Sequence, residues 1–424
     1  MKYDIKGKKI LILGASSSEI PLINRAQELG AYVIVTDRNI NYDLSPAKRL
    51  ADSAWDISWS DINSLEKKCK ETKIDGVIAG YSEFRCENLI RLTERLNLPC
   101  YLTERQLEIT RDKILFKKEC EKYNIPVIIE FDYTDERIDY PVIVKPVDRG
   151  GSIGISIAND KKELDSAYKY AMDLSVKKEV IIEKYISNKN KIDLYYAVEE
   201  DKIFLISEAD TIYAKNNNGK RVVQSSWLYP SNKESPNFDE IDSNIRKMIK
   251  GLGIRNGCLF FSGFLLDNNE LSFFECGFRL EGAHQHGYVD RRLGFNYLDM
   301  FIYHSIFGRT EFLDNINDID EEIKSVVVNI YSKGGKIKEV SGLNEISEIN
   351  NCSFTLLSAY LGEDTSNTKA ILDKVCIFSF CDRNPLELKK SLDLAYKLLK
   401  VKDEKGNDLI YDKVNTELIA YWWS

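Results

Sequence analysis

Short apolar runs alternate with helical patterns over the first hundred residues, and that alternation constrains the fold more than any other feature of the chain. Lys8 to Leu13 (KKILIL) is an apolar run stopped by Gly14, as a buried strand would be. Ser16 to Ser18 offer an N-cap, and Pro21 suits a first helical turn. Leu22, Ile23, Ala26 and Leu29 mark one helical face, which Gly30 closes. Ala31 to Thr36 (AYVIVT), ending at Asp37, and Ile74 to Ala79 (IDGVIA) read as further strands. Strands alternating with helices imply a parallel sheet, which places ligands at the C-terminal ends of its strands. Tyr81, Ser82 and Glu83 stand at such an end. Glu83 reads as a surface or capping residue, with a substrate contact as the alternative.

The acid that follows a strand–glycine–helix turn by some twenty positions belongs to the dinucleotide-binding fingerprint, but that fingerprint needs three glycines. The segment GASSSE keeps one. Serine hydroxyls and helix N-terminal amides can still hold an anion there. An NAD-linked oxidoreductase therefore rests on this unit alone. A Rossmann-like scaffold bearing part of a substrate pocket is the stronger alternative.

At 424 residues, 43% of them hydrophobic, the chain has the material for two or three cores. Its net charge of −8, without a lysine or arginine run, argues against a nucleic-acid or anionic-membrane partner. The N-terminus MKYDIKGKKILILG lacks the pattern of a secretory leader, and no run of about 18 apolar residues occurs. The nine cysteines include no C-x-x-C pair and read as reduced thiols. A soluble, multidomain, cytoplasmic α/β protein is expected.

The chemistry-bearing signals begin after residue 110. PVIVK (141–145) is a strand carrying its lysine at the end, followed by DRGGSIGIS with Gly150, Gly151, Ser152 and Gly154. Such a loop can wrap backbone N–H groups around phosphate oxygens, or it can simply turn a hairpin. It is not a Walker A loop, because the lysine precedes the glycines. EVIIEKYI (179–186) is a strand ending in a Glu-Lys pair. CLFFSGFLLD (258–267) and LSFFECG (271–277) read as adjacent strands joined by the turn DNNE, with Glu275 at the end of the second.

Taken in order, TRDKILFK (110–117), PVIVKPVDRGGSIGI (141–155), VIIEKYI (180–186) and FFECGFRLEG (273–282) make the chain resemble the ATP-grasp superfamily. The branch is that of the carboxylate–amine ligases, with biotin carboxylase, L-amino-acid ligases and carbamoyl-phosphate synthase. The resemblance implies an α/β and α+β multidomain chain. Its parts would be a Rossmann-like domain over 1–108, the ATP-grasp fold over 109–310 with a flap subdomain over roughly 120–187, and a small α+β domain over 311–424. It implies ATP and Mg²⁺ as cofactors. Lys113 would reach the α-phosphate and Lys145 the α- and β-phosphates. Gly150, Gly151, Ser152 and Gly154 would form the mobile flap. Glu183, Lys184 and Ile186 would form the adenine hinge, and Asp193 would lie near the ribose. Glu275 would bind magnesium, and Arg279 would grip the transferring phosphoryl group. These roles suit phosphoryl transfer, which needs charge neutralisation and exclusion of water more than covalent chemistry. Mg²⁺ prefers carboxylate and phosphate oxygens, which favours Glu275 over histidine.

The pattern departs from many relatives at two places. Glu-x-Asn-x-Arg becomes Glu275-Cys276-Gly277-Phe278-Arg279, and the position twelve before Glu275 is Gly263, beside Ser262. A thinner protein shell around the metal is expected, completed by phosphates and waters, or else reduced activity. His284 and His286 could serve zinc with Cys276, but no second ligand pair at finger spacing follows. They could also line the acceptor side of the site, or hydrogen-bond structurally. KNNNGKR (215–221) reads as a solvated hairpin tip, with a flap over substrate as the alternative.

In the last hundred residues, Ser325–Tyr331, Ser353–Tyr360 and Val375–Phe380 read as an antiparallel sheet and Leu386–Leu399 as a helix. No catalytic residue stands out there, and the family's cap in this region implies a homodimer. The expected function is an ATP- and Mg²⁺-dependent ligase that activates a small carboxylate as an acyl phosphate for attack by an amine. A nucleotide-binding relative with reduced turnover and an NAD-linked oxidoreductase are the alternatives.

Overall fold

The computed structural model describes residues 3–149, 153–186, 191–214, 223–316, 318–366 and 374–424. The first strands are β1 (Lys9–Leu13), β2 (Tyr32–Thr36), β3 (Ser53–Trp55) and β4 (Gly76–Ala79), all parallel in the order β3-β2-β1-β4. Both faces of this sheet are covered, which is why β1 and β2 read as continuous apolar runs. Strand order reverses direction at β1, so the loops after β1 and β4 open beside each other. Ser16 begins the first loop and closes a capping box with Glu19; its N–H donates to Glu19 Oε2 at 2.9 Å. The helix Ile20–Glu28 follows, burying Leu22, Ile23 and Ala26 as its spacing requires.

Strands β5 (Val142–Pro146), β6 (Ser156–Ala158) and β7 (Val180–Lys184) form a small antiparallel sheet in the order β6-β5-β7. The helix Lys161–Leu174 covers it through Leu164, Ala167 and Ala171. The largest sheet collects β8 (Lys191–Glu199), β9 (Lys202–Tyr213), β10 (Gln224–Tyr229), β11 (Asn256–Leu265), β12 (Leu271–Phe278) and β13 (Lys324–Tyr331). After β14 (Glu339–Ser341), which pairs with β17 (Lys400–Lys402), the strands β15 (Cys352–Leu357) and β16 (Lys374–Asp382) complete it. Among the described residues its order is β12-β11-β8-β9-β10-β13-β16-β15.

The strands expected near 325–331, 353–360 and 375–380 are therefore present, but they do not make a sheet of their own. Trp227 of β10 pairs with Val327 of β13, so the last strands extend the central sheet. A period-two pattern records that one face is buried, not which edge a strand joins. Joining β10 satisfies the backbone groups of what would otherwise be an open edge.

Side chains alternate across this sheet into two cores. Tyr195, Trp227 and Phe260 enter one, which also contains the first sheet's Ile10, Ile12 and Val33. Leu194, Tyr196, Phe261 and Phe273 enter the other. The helix Tyr297–Phe307 is buried along nearly its whole length, and its Asp299 accepts from Arg25 Nε at 2.6 Å. Among the described residues no helix is long and apolar enough to cross a membrane.

Burial pushes His304 of that helix and His286 down to about 4, and pushes His284 well below the ordinary histidine range. A histidine whose folded pKa lies below its unfolded value takes up a proton on unfolding in the window between them. Stability is therefore lost as pH falls from about 6.5, the unperturbed histidine value, toward 4. We expect His304 alone to cost on the order of 1–2 kcal/mol at pH 5 relative to pH 7. Urea unfolding at both pH values should show a smaller difference in His304→Leu than in wild type. Equal differences would exclude the buried imidazole as the cause.

Candidate active site

The helix Lys113–Lys122 begins where Asp112 caps it, its carboxylate accepting from Ile114 N at 3.0 Å and Leu115 N at 3.1 Å. The cap fixes Lys113 at the first position, where its side chain faces β5 and β12. Its Nζ donates to the Arg149 carbonyl at 2.9 Å. Burial pushes the Lys113 ammonium below the usual lysine range, while Glu275, Glu183 and Glu83 oppose that shift and the Lys145 charge adds to it.

One turn on, Lys117 points the same way and meets Glu183 at 2.6 Å and Glu130 at 2.5 Å. Lys145, at the end of β5, meets the other Glu183 oxygen at 2.5 Å and lies 5.0 Å from the Phe274 ring centroid. The Glu183 carboxyl is 2% exposed. Burial alone would raise its pKa, but the two lysines hold it below the usual carboxylate range.

Glu275 of β12, Ser262 of β11 and Asp193 of β8 lie in one row across the sheet. Ser262 stands opposite Glu275, and its hydroxyl donates to Asp193 Oδ1 at 2.5 Å. Asp193 is fully buried and accepts from Lys191 Nζ at 2.5 Å and from Thr211 Oγ1 at 2.9 Å. A Cβ on Gly277 would lie 2.3 Å from the Phe260 ring, so this position is closed to any side chain while Phe260 stays in place.

Arg279 follows β12 and crosses to the first sheet. Its Nε donates to Glu83 Oε1 at 2.6 Å, its Nη2 lies 2.6 Å from the same oxygen, and its Nη1 donates to the Leu280 carbonyl at 2.9 Å. Burial works against the guanidinium charge, yet Glu83 raises its pKa above the ordinary arginine value. Burial would raise the Glu83 carboxyl, and Arg279 holds it down instead. Glu83, expected as a surface or capping residue with a substrate contact as the alternative, opens the helix Glu83–Leu96 and turns its carboxylate to Arg279.

These groups surround one cavity of about 580 Å³. Lys113, Lys145, Glu183, Lys184, Ile186, Glu275, Arg279 and Glu83, all singled out in the sequence, line it. Ser16 to Ser18 and Tyr81 contribute from the first sheet. Several expected residues do not reach it. Asp193 lies beneath the floor, where Lys191 and Ser262 cover its carboxylate. Gly154 turns at φ +80 and packs against Pro146 and Leu174, behind the cavity wall. His284 and His286 are not among the lining residues; they sit in an aromatic cluster with Phe354, at centroid distances of 5.3 and 4.9 Å, and His284 also lies 4.7 Å from the ring of the lining Tyr81. Apolar neighbours from β15 captured them, which their spacing could not show. Gly150, Gly151, Ser152 and the loop 215–221 lie outside the described residues. Asp37 accepts from the Asn39 N–H at 2.8 Å and does not line the cavity.

Lys191, Glu281 and Lys374 are among the lining residues that were not singled out in the sequence. Glu281 stands two residues beyond Arg279 within the same motif, so its position was readable. Lys374 had no local signal, because it reaches the cavity only through the joining of β16 to the central sheet.

The residues fit a magnesium nucleotide. Lys113, Lys145, Lys191 and Arg279 suit a polyphosphate, while Ile128, Ile143, Ile155 and Phe274 form apolar walls for a base. Among the described residues no three His, Cys, Asp or Glu side chains converge as a metal site. Glu275 would thus hold Mg²⁺ with phosphate and water oxygens, a shell this ion accepts.

Comparison with known proteins agrees with this geometry. Residues 112–286 match the family model described as carbamoyl-phosphate synthase L chain, ATP binding domain. The formate-dependent phosphoribosylglycinamide formyltransferase of Prochlorococcus marinus (strain AS9601) is 30% identical over 287 residues, spanning 64% of this chain and 71% of that protein. Phosphoribosylglycinamide synthetase from Anaerococcus prevotii superposes with a TM-score of 0.72 at 20% identity, over 94% of this chain and 100% of the other. The L-amino acid ligase from Bacillus licheniformis superposes with a TM-score of 0.75 at 17% identity, over 94% of this chain and 99% of the other. The fold, the ordered motifs and the sequence relationship give one conclusion: this chain belongs to the ATP-grasp carboxylate–amine ligases, enzymes that use ATP and Mg²⁺ to form C–N bonds.

Proposed function

We propose that the cavity joins a small carboxylate to an amine through an acyl phosphate, with ADP and phosphate as the other products. The observation that carries this reading is the convergence of Lys113, Lys145, Glu275 and Arg279, from four separate segments, on one cavity. Bound MgATP would supply the phosphoryl group and an electrophilic phosphorus. Lys113 and Lys145 neutralise phosphate charge, each held by a neighbour that fixes its ammonium in advance. Glu275 holds the metal from the open side of β12. Arg279 serves the transferring group, and Glu83 orients it until anionic substrate competes for its N–H donors.

Glu183 belongs to this reading as a positioning residue for Lys145 rather than as a hinge side chain, and Lys184 and Ile186 keep the hinge role. Asp193 acts through Lys191, not on a ribose directly. The first hundred residues serve as a Rossmann-like domain that closes one side of the site. The units 1–108, 109–310 and 311–424 follow from the same reading, with the last two sharing one sheet.

The relatives' names select the first trial substrates: formate with phosphoribosylglycinamide, then pairs of L-amino acids. The test is release of ADP and phosphate on adding a carboxylate and an amine with MgATP. Lys145→Ala and Arg279→Ala should each lower release about 100-fold or more. Both variants should keep the fold, because Glu183 retains Lys117 and Glu83 is open to solvent on one side. Wild-type rates in both would refute the assignment.

A second expectation concerns Gly277, where many relatives carry asparagine. Gly277→Asn should lower stability by about 1–3 kcal/mol, because its Cβ meets the Phe260 ring. Urea midpoints measure this, and an unchanged midpoint would show that the ring moves aside freely.

A further inference from the structure

The cavity floor is built around a buried ammonium. Lys191 opens β8 and Asp193 follows two residues later, so both side chains point to one face of the sheet. The Lys191 Nζ folds back over its neighbour, donating to Asp193 Oδ1 and Oδ2 at 2.5 Å each and to Thr211 Oγ1 at 3.3 Å. Ser262 closes the same nest through its bond to Asp193. Lys191 and Asp193 are 1% and 0% exposed, yet Lys191 lines the cavity and Asp193 does not. The pair is therefore a dipole whose positive end faces the cavity. A carboxylate with two hydroxyls is a set of hard oxygens, the kind of donor that Mg²⁺ takes. Here the ammonium holds their centre. Mg²⁺ gives up its waters reluctantly, whereas a tethered ammonium is already in place when nucleotide arrives.

Glu275, two strands away in the same row, is in the opposite condition. Among the described residues no ion pair within 4.0 Å holds it, although its charge acts on Lys113. Lys145 is taken by Glu183, and Arg279 by Glu83. Neither glycine beside this row can add a ligand. A Cβ on Gly263 would lie 2.7 Å from the Ser272 carbonyl oxygen, and one on Gly277 would lie 2.3 Å from the Phe260 ring. Glu275 thus has room for an ion, and Asp193 has none. Burial pushes the Tyr213 hydroxyl well above the ordinary tyrosine range, and the Asp193 and Glu275 charges both add to that rise. The two carboxylates therefore act on the same stretch of the cavity wall.

We propose that this site works with one metal ion, at Glu275, and that the Lys191 ammonium fills the place a second ion would take. The inference rests on the magnesium role given to Glu275 above. Lys191 is then a cation that faces the nucleotide, not a strut for Asp193. It neutralises charge on the phosphoryl group during transfer, from a position fixed beforehand. Asp193, Ser262 and Thr211 are the residues that position it.

The experiment counts Mn²⁺ bound per chain, by equilibrium dialysis and electron paramagnetic resonance, at saturating β,γ-imido-ATP. It also follows ADP release against free Mg²⁺ at a fixed, saturating concentration of MgATP. Wild type should bind one Mn²⁺, and its rate should not rise further with free Mg²⁺. Lys191→Ala empties the nest and frees Asp193, so it should bind two Mn²⁺. Its ADP release should fall about 100-fold and recover as free Mg²⁺ is raised. Lys191→Met combined with Asp193→Asn removes both charges, which strands no carboxylate and keeps the fold. That double variant should bind one Mn²⁺, lose the same activity and gain nothing from free Mg²⁺. If Lys191→Ala does not fold, the double variant decides. Two Mn²⁺ in wild type would overturn the inference and leave the ligase reading standing. One Mn²⁺ in folded Lys191→Ala, or wild-type release from the double variant, would make Lys191 a strut and overturn it too. A count that rises from one to two in Lys191→Ala, without ADP release by wild type for any carboxylate and amine, would defeat the ligase reading and leave this inference standing.

Discussion

Glu183 sits between Lys117 and Lys145 at distances of 2.6 and 2.5 Å, and the rest of the nucleotide end depends on that arrangement. The three side chains come from a helix, from β5 and from β7, and all are nearly inaccessible to solvent. Taking them out of water is costly, and mutual pairing offsets the cost only while the geometry is kept. Loss of Glu183 would leave the buried Lys145 ammonium without its carboxylate, whereas loss of Lys145 leaves Glu183 paired with Lys117. The cluster thus fixes the small sheet against the helix Lys113–Lys122 and holds Lys145 at the cavity. A lysine pre-set in this way needs no reorganisation when charge develops on a bound phosphate.

The Arg279–Glu83 contact does the corresponding work across a longer gap. It ties the end of β12 in the central sheet to the start of the helix Glu83–Leu96 that follows β4. Salt bridges at protein surfaces contribute little, but Arg279 is shielded, stacks over Phe260 and offers a directional fork of donors. Glu83 occupies donors that an anionic substrate would use. Arg279 is therefore satisfied by protein alone, and an anionic substrate bound there would take the place of the Glu83 carboxylate.

The floor of the site shows how one departure from the family pattern is absorbed. Where a second metal acid is common, Gly263 allows β11 to pass close under Phe273 and the Ser272 carbonyl. The row Glu275–Ser262–Asp193 then ends in Lys191, so a cation borne by the protein lies two strands from the Glu275 carboxylate. A metal held at Glu275 would share the charge balance of this floor with the Lys191 ammonium.

The ordered motifs exposed the nucleotide end because each is a strand end or helix start, where local pattern and side-chain direction coincide. Lys113, Lys145, Glu275 and Arg279 could be named from that pattern, and the alternating apolar runs fixed the parallel sheet before them. The role of His284 and His286 stayed open in the sequence because a short spacing does not say what packs against it, and Phe354 arrives from seventy residues further on. Asp193 was expected near a ribose, and in the structure Lys191 and Ser262 already hold its carboxylate. Glu83, Glu281 and Lys374 acquire meaning only when three distant segments meet. By itself the sequence determined the elements and their periods, since those depend on neighbours within a turn or a strand, and its ordered motifs pointed to Lys113, Lys145, Glu275 and Arg279, which the structure brings to one cavity. Tertiary structure alone decided which sheet edge the last strands joined and which charges face each other across the cavity, since backbone pairing and burial act between segments that no local pattern connects.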